Sequence, residues 1–125
     1  MGVSRKFVQI LGSEARTGDT TSEDFDAEDV WSTLFFINVT ADPGTASVVF
    51  SVEIKDPLSG AYKAILASSA VTSTGTTILQ VGKEVASSNL ATQIMLTSKF
   101  RITADHADEV QSMTYSVSAT HLTIR

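Results

Sequence analysis

The sequence of 125 residues predicts an all-β fold, an antiparallel β-sandwich of about seven strands with one long acidic loop. Apolar and polar residues alternate with a period of two in segment after segment, which is the pattern of half-buried strands. Ser and Thr make up about a quarter of the chain, an excess that suits polar sheet faces. Short clusters of Gly, Pro and Asp separate the alternating runs and supply the turns between strands. The length suits one domain, residues 1–125, with a core that needs no crosslink. The chain has no cysteine, so it has no disulfide framework, thiolate metal site or thiol nucleophile.

The first element is an N-terminal strand or arm, residues 1–12, in which Arg5 and Lys6 precede Phe7-Val8-Gln9-Ile10-Leu11. That apolar run is too short for a signal-peptide core or a membrane span. Lys6 also stands where a myristoylation signal places Ser or Thr. Residues 18–30 read as an acidic surface loop: six of the fourteen acids lie between Asp19 and Asp29, with no base beside them. Leu34 to Val39 is a strand with bulky groups on both faces, hence a central strand or one with a face against another subunit. It is bounded by the turn Ala41-Asp42-Pro43-Gly44.

Val48, Phe50, Val52 and Ile54 then alternate with Ser51, Glu53 and Lys55, so one face of that strand enters the core. Asp56-Pro57-Leu58-Ser59-Gly60 is a turn, and Ala61 to about Ser68 returns antiparallel as a hairpin. A turn at Thr72-Ser73-Thr74-Gly75 leads into the strand Thr77 to Val81, which Gly82 closes. Residues 83–94 do not alternate and read as a short helical turn or a long loop. Lys99 to Thr103 points Phe100 and Ile102 inward, and the last strand does the same with Tyr115, Val117 and Ala119 before running on towards Leu122 and Ile124. No internal repeat or linker divides the chain.

No motif in the chain carries catalysis. The spacing of Asp24, Asp26 and Glu28 resembles the first ligands of a calcium loop, but such a loop needs Gly at its sixth position and Glu at its twelfth, where this chain has Asp29 and Phe35. The run therefore reads as solvated or partner-facing. His106 and His121 lie in separate segments with no zinc-type spacing, and His106 reads as part of an exposed turn. There is no Gly-x-Ser-x-Gly elbow, and Gly82-Lys83 lacks the upstream glycine and following hydroxyl of a phosphate loop. Asn38-Val39-Thr40 is a chance match to the glycosylation sequon at a strand end. Catalytic residues, cofactors and metal ligands are accordingly not expected. Nine bases against fourteen acids argue against nucleic acid as a partner, and no membrane contact is expected. Trp31, Phe35 and Phe36 pack in the core or, in part, anchor an interface.

Several stretches together resemble small virion proteins of tailed bacteriophages, of the capsid decoration (cement) type. They are Val39-Thr40-Ala41-Asp42-Pro43-Gly44-Thr45, the run from Ile54 to Tyr62, Thr74-Gly75-Thr76-Thr77, Phe100-Arg101-Ile102-Thr103 and Met113 to Ser118. The likeness covers the chain from about Val39 onward and, more loosely, Ser13 to Thr17. It implies a non-enzymatic particle component on the outer capsid surface, made in the host cytoplasm, with the major capsid protein as partner. It also implies a homo-oligomer, with a trimer favoured. Charge and position, not the resemblance, nominate the contact residues: Arg5 and Lys6 of the arm, Asp24, Asp26, Glu28 and Asp29 of the acidic stretch, and Trp31. Two other readings share the fold. One is a tail, neck or fibre-base component, and the other is a carbohydrate- or surface-binding module using Trp31, Tyr62 and Tyr115.

Overall fold

The alternating segments pair into two antiparallel-rich sheets in a computed structural model that describes residues 3–42, 44–82, 90–94, 96, 99–107 and 111–124. Sheet I contains, side by side, β1 (Val3–Arg16), β10 (Met113–Ile124), β4 (Val30–Ala41), β7 (Gly75–Gly82) and β8 (Ala91–Thr92). Sheet II is ordered β2 (Thr20–Thr21), β9 (Lys99–His106), β5 (Val48–Lys55) and β6 (Tyr62–Ala67), and β3 (Phe25–Asp26) pairs with β9 further along. The described residues contain no helix. The two sheets pack against each other as an all-β sandwich, as the alternation predicts.

The core is built from the inward positions of both sheets. Phe35, Ile37 and Val39 of β4 and Tyr115, Val117 and Ala119 of β10 meet Val48, Phe50 and Val52 of β5 and Phe100 and Ile102 of β9, all buried. Aromatic rings lock the layers together. Phe50 meets Tyr115 edge-on at 5.0 Å between centroids, and Phe100 meets Phe35 at 5.7 Å and His121 at 5.6 Å in the same manner. Such edge-to-face pairs add to the burial of the rings themselves.

The turn after β5 forms as its residues dictate. The Asp56 carboxylate accepts hydrogen bonds from the Leu58 amide at 2.9 Å and the Ser59 hydroxyl at 2.8 Å, and Gly60 takes φ of 79°. β4 lies between β10 and β7, so it is a central strand. β1 runs past residue 12 to Arg16, with register shifts after Gln9 and Leu11. The Arg16 guanidinium holds that irregular stretch by donating to the carbonyls of Gly12 at 2.7 Å and Tyr115 at 2.8 Å.

Two expectations need correction. Residues 18–30 are not a loop standing off the sheet, because β2 and β3 pair with β9 and form the edge of sheet II. Phe25 stacks on Phe100 at 5.8 Å and Ala27 is buried, while Asp24, Asp26 and Glu28 between and beyond them face out. The spacing that resembles a calcium loop thus comes from alternation about β3, followed by a turn at Glu28 and Asp29. His106 is not in an exposed turn either. It ends β9, is 6% exposed, and its Nε2 lies 2.8 Å from the Tyr115 hydroxyl. The run of apolar positions in β9 continues to it, with a ring nitrogen satisfied in the core. Of the segment read as a helical turn or loop, residues 83–89 lie outside the described residues, as do Pro43 of the turn after β4 and Glu109, while Ala91–Thr92 pairs parallel to β7.

Because Phe100 touches rings from both sheets and from the edge, Phe100→Ala is expected to lower the free energy of unfolding by about 3–5 kcal/mol, read from the urea midpoint at unchanged m-value.

Candidate functional site

The sandwich is open along one side, where β1 ends sheet I and β2 and β3 end sheet II. Between these edges runs a cleft. One part, of about 300 Å³, is lined by Lys6, Asp26, Glu28, Asp29, Val30, His121 and Thr123. The adjoining part, of about 480 Å³, is lined by Lys6 to Gln9 and by Asp24, Phe25 and Asp26. The register explains the meeting of these residues. Lys6 pairs with His121 across β1 and β10 and therefore shares its inward face, while the acidic segment closes over from sheet II.

The acids of this segment divide into held and unheld groups. The Asp24 carboxylate accepts the Tyr62 hydroxyl at 2.7 and 2.8 Å and the Lys55 ammonium at 3.4 Å. Tyr62 is itself fixed by the Arg101 guanidinium, stacked 3.4 Å from its ring centroid, and Arg101 donates to Glu53 at 2.7 Å. The Tyr62 hydroxyl, followed by Lys55, keeps the Asp24 carboxyl below its ordinary value of 3.8. Asp26 accepts the Lys99 ammonium, a bond that raises the Lys99 pKa above its ordinary value. Glu28 and Asp29 form the tip of a tight turn closed by the Val30 amide on the Ala27 carbonyl at 3.4 Å, and Asp29 takes φ of 61°. Asp tolerates that left-handed conformation better than most residues. Among the described residues neither of these carboxylates, nor Lys6, is in an ion pair.

His121 forms the buried wall of the cleft. It is 1% exposed, its Nδ1 lies 2.7 Å from the Thr33 hydroxyl, and its Nε2 is buried with no hydrogen-bond partner. Burial, and then the Lys6 ammonium, hold the imidazole below its ordinary range. The ring is therefore neutral at pH 7, and a cleft with a cationic lip and an anionic rim is backed by an uncharged polar wall.

The residues nominated from sequence separate accordingly. Lys6, Asp26, Glu28 and Asp29 line one space, so the arm and the acidic stretch form a single surface. Asp24 borders the adjoining part, with its carboxylate occupied by Tyr62 and Lys55. Arg5 points the other way, onto the outer face of sheet I beside Leu122 and Leu34. Trp31 is the extra residue of a bulge between Val30 and Ser32 and is 37% exposed. Phe35 is core and Phe36 faces outward, half-buried. Of the aromatics a carbohydrate module would use, Tyr115 is fully buried and Tyr62 lies under Arg101. Sequence reading missed His121, although continuing the alternation of Tyr115, Val117 and Ala119 by two residues points it inward.

Among the described residues no group of three or more His, Asp or Glu side chains converges to hold a metal ion. The arrangement brings charges of both signs to one edge, where they can hold a complementary charged or polar group.

No protein-family model and no curated protein matches this chain.

As pH falls below about 6.5 the unfolded chain takes up a proton at His121 before the folded one does, so stability declines there. Thermal melts between pH 7 and pH 5 should show this decline, and it should be smaller in His121→Gln. Separately, Tyr62→Phe should raise the Asp24 pKa towards 3.8, followed through its carboxyl resonance in an NMR titration.

Proposed function

We propose that this protein is a non-enzymatic structural component of a bacteriophage particle, a decoration protein that binds the outside of the head and stabilises contacts between capsomers of the major capsid protein. The single observation that carries the reading is the cleft, where Lys6 of β1 and Asp26, Glu28 and Asp29 of the sheet II edge form one charged surface on a stiff sandwich. The sequence resemblance to decoration proteins points to the partner. A decoration protein has to add contact area across joints between capsid subunits. Two adjacent sheet edges on which Lys6, Glu28 and Asp29 take part in no ion pair among the described residues suit that task, because such charges remain available to a complementary surface. Several contacts made by one homo-oligomer, each modest, add through effective concentration.

The same fold serves in tails and necks, and stoichiometry separates those sites. A head decoration protein is present in numbers comparable to the major capsid protein, which densitometry of purified particles measures.

The direct test is binding to empty heads. The pair Glu28→Gln and Asp29→Asn keeps the turn geometry while removing both charges, and Lys6→Gln removes the opposing one. Each is expected to weaken binding by about tenfold, equivalent to about 1.4 kcal/mol, with more loss at low salt than at high salt. Occupancy equal to that of the parent protein in both variants would exclude the cleft as the contact.

A further inference from the structure

The outer faces of the two sheets differ in kind. β4, β7 and β10, the inner strands of sheet I, contain no Asp, Glu, Lys or Arg at all. The outer face of sheet II, by contrast, carries Glu53, Lys55, Lys99 and Arg101, joined by ion pairs to one another or to the acidic edge.

Register places the outward side chains of sheet I in rows. Phe7 is opposite Thr120, Thr120 opposite Leu34, and Leu34 opposite Gln80. The next row sets Gln9 beside Ser118, then Phe36 and Ile78, and the preceding one sets Arg5 beside Leu122 and Ser32. Phe7, Leu122, Leu34, Phe36 and Ile78 therefore form an apolar band across the face. Phe7 is 76% and Ile78 44% exposed, and the other three are half-buried. Gln9, Gln80, Asn38 and Ser118 surround the band with uncharged polar groups, and Arg5 at the margin is the one charge the paired rows bring to this face. An apolar centre, a neutral polar rim and depletion of charge are the anatomy of a protein interface.

We infer that two copies of this chain pack face to face through the outer face of sheet I, about a two-fold axis. Charge selects the occupant. The chain carries a net charge of −5, so two copies repel each other wherever acidic groups meet. The acidic edge repels a like-charged copy and the outer face of sheet II holds its bases in ion pairs within the chain, whereas the paired rows described above bring no acid to the outer face of sheet I. A partner chosen by charge gains nothing there. Shape agrees with self-packing, because a groove of about 210 Å³ lined by Arg5, Ser32, Leu34, Gln80, Thr120 and Leu122 lies beside the band and offers a recess for a copy's projecting side chains. A patch that meets itself is isologous, so the assembly closes as a dimer. The inference does not rest on the virion reading.

Light scattering and sedimentation of the full chain test it. The parent protein is expected at twice its mass of 13.3 kDa at about 100 μM and to dissociate on dilution. Raising salt should tighten the dimer, because no ion pair crosses the interface and screening weakens the repulsion of two −5 chains. Ile78→Glu and Ser118→Asp, both at exposed positions, should each raise the dissociation constant at least about 100-fold with an unchanged circular dichroism spectrum. Ala67→Glu, at an exposed position in sheet II, should leave it unchanged. A monomer at about 100 μM, a trimer, a dimer loosened by salt, or retained association in both sheet I variants would overturn the inference.

Discussion

Phe100 stands where four parts of the molecule meet. Its ring lies edge-on to Phe35 of β4 and to His121 of β10, so it ties sheet II to the two inner strands of sheet I. On its other side it carries Phe25, and through Phe25 the acidic segment is fastened as a sheet edge rather than left as a loop. The wall of the cleft and its acidic rim are thus positioned by one side chain. Without that ring there is no physical reason for a run as acidic as Glu23 to Asp29 to lie against an apolar core. The backbone pairing of Phe25 and Asp26 with Phe100 and Lys99 then fixes the direction of each acid. Anchorage through Phe25 and Ala27 sends the carboxylates outward, where Lys55, Tyr62 and Lys99 take two of them and leave the turn at Glu28 and Asp29 charged.

This arrangement gives the molecule three unlike surfaces. The outside of sheet II is knitted by ion pairs and by the stack of Arg101 on Tyr62. The open side presents two strand edges, basic at Lys6 and acidic at Asp26 to Asp29. The outside of sheet I has no charge on its inner strands. A charged edge discourages indiscriminate strand pairing, and a neutral apolar face permits contact with a like-charged molecule.

Much of this architecture is legible in the sequence because period-two alternation reports burial directly. Val48, Phe50 and Val52, or Tyr115, Val117 and Ala119, leave little choice of face. The turn at Asp56 to Gly60 is equally readable, since its side-chain hydrogen bonds and positive φ are local. What alternation does not report is pairing at a distance. Asp24-Phe25-Asp26-Ala27 has only one large apolar group, Phe25, so its attachment to β9, some seventy residues later, is invisible locally. The buried histidines escape notice for a related reason. His106 and His121 occupy core positions that apolar residues would announce, and their burial depends on Tyr115 and Thr33, partners that only the folded register supplies. Arg5 and Lys6, neighbours in sequence and alike in charge, part company because successive strand residues point to opposite faces.

The proposed function requires that the open edge, and not the ion-paired face, meets the larger partner. Hydrogen–deuterium exchange of the protein free and bound to empty heads tests this most directly. New protection is expected in the residues of β1 around Lys6 and in the segment from Asp24 to Trp31, with β5 and β6 unchanged. Protection gained at β5 and β6 while the open edge exchanges as in the free protein would contradict it.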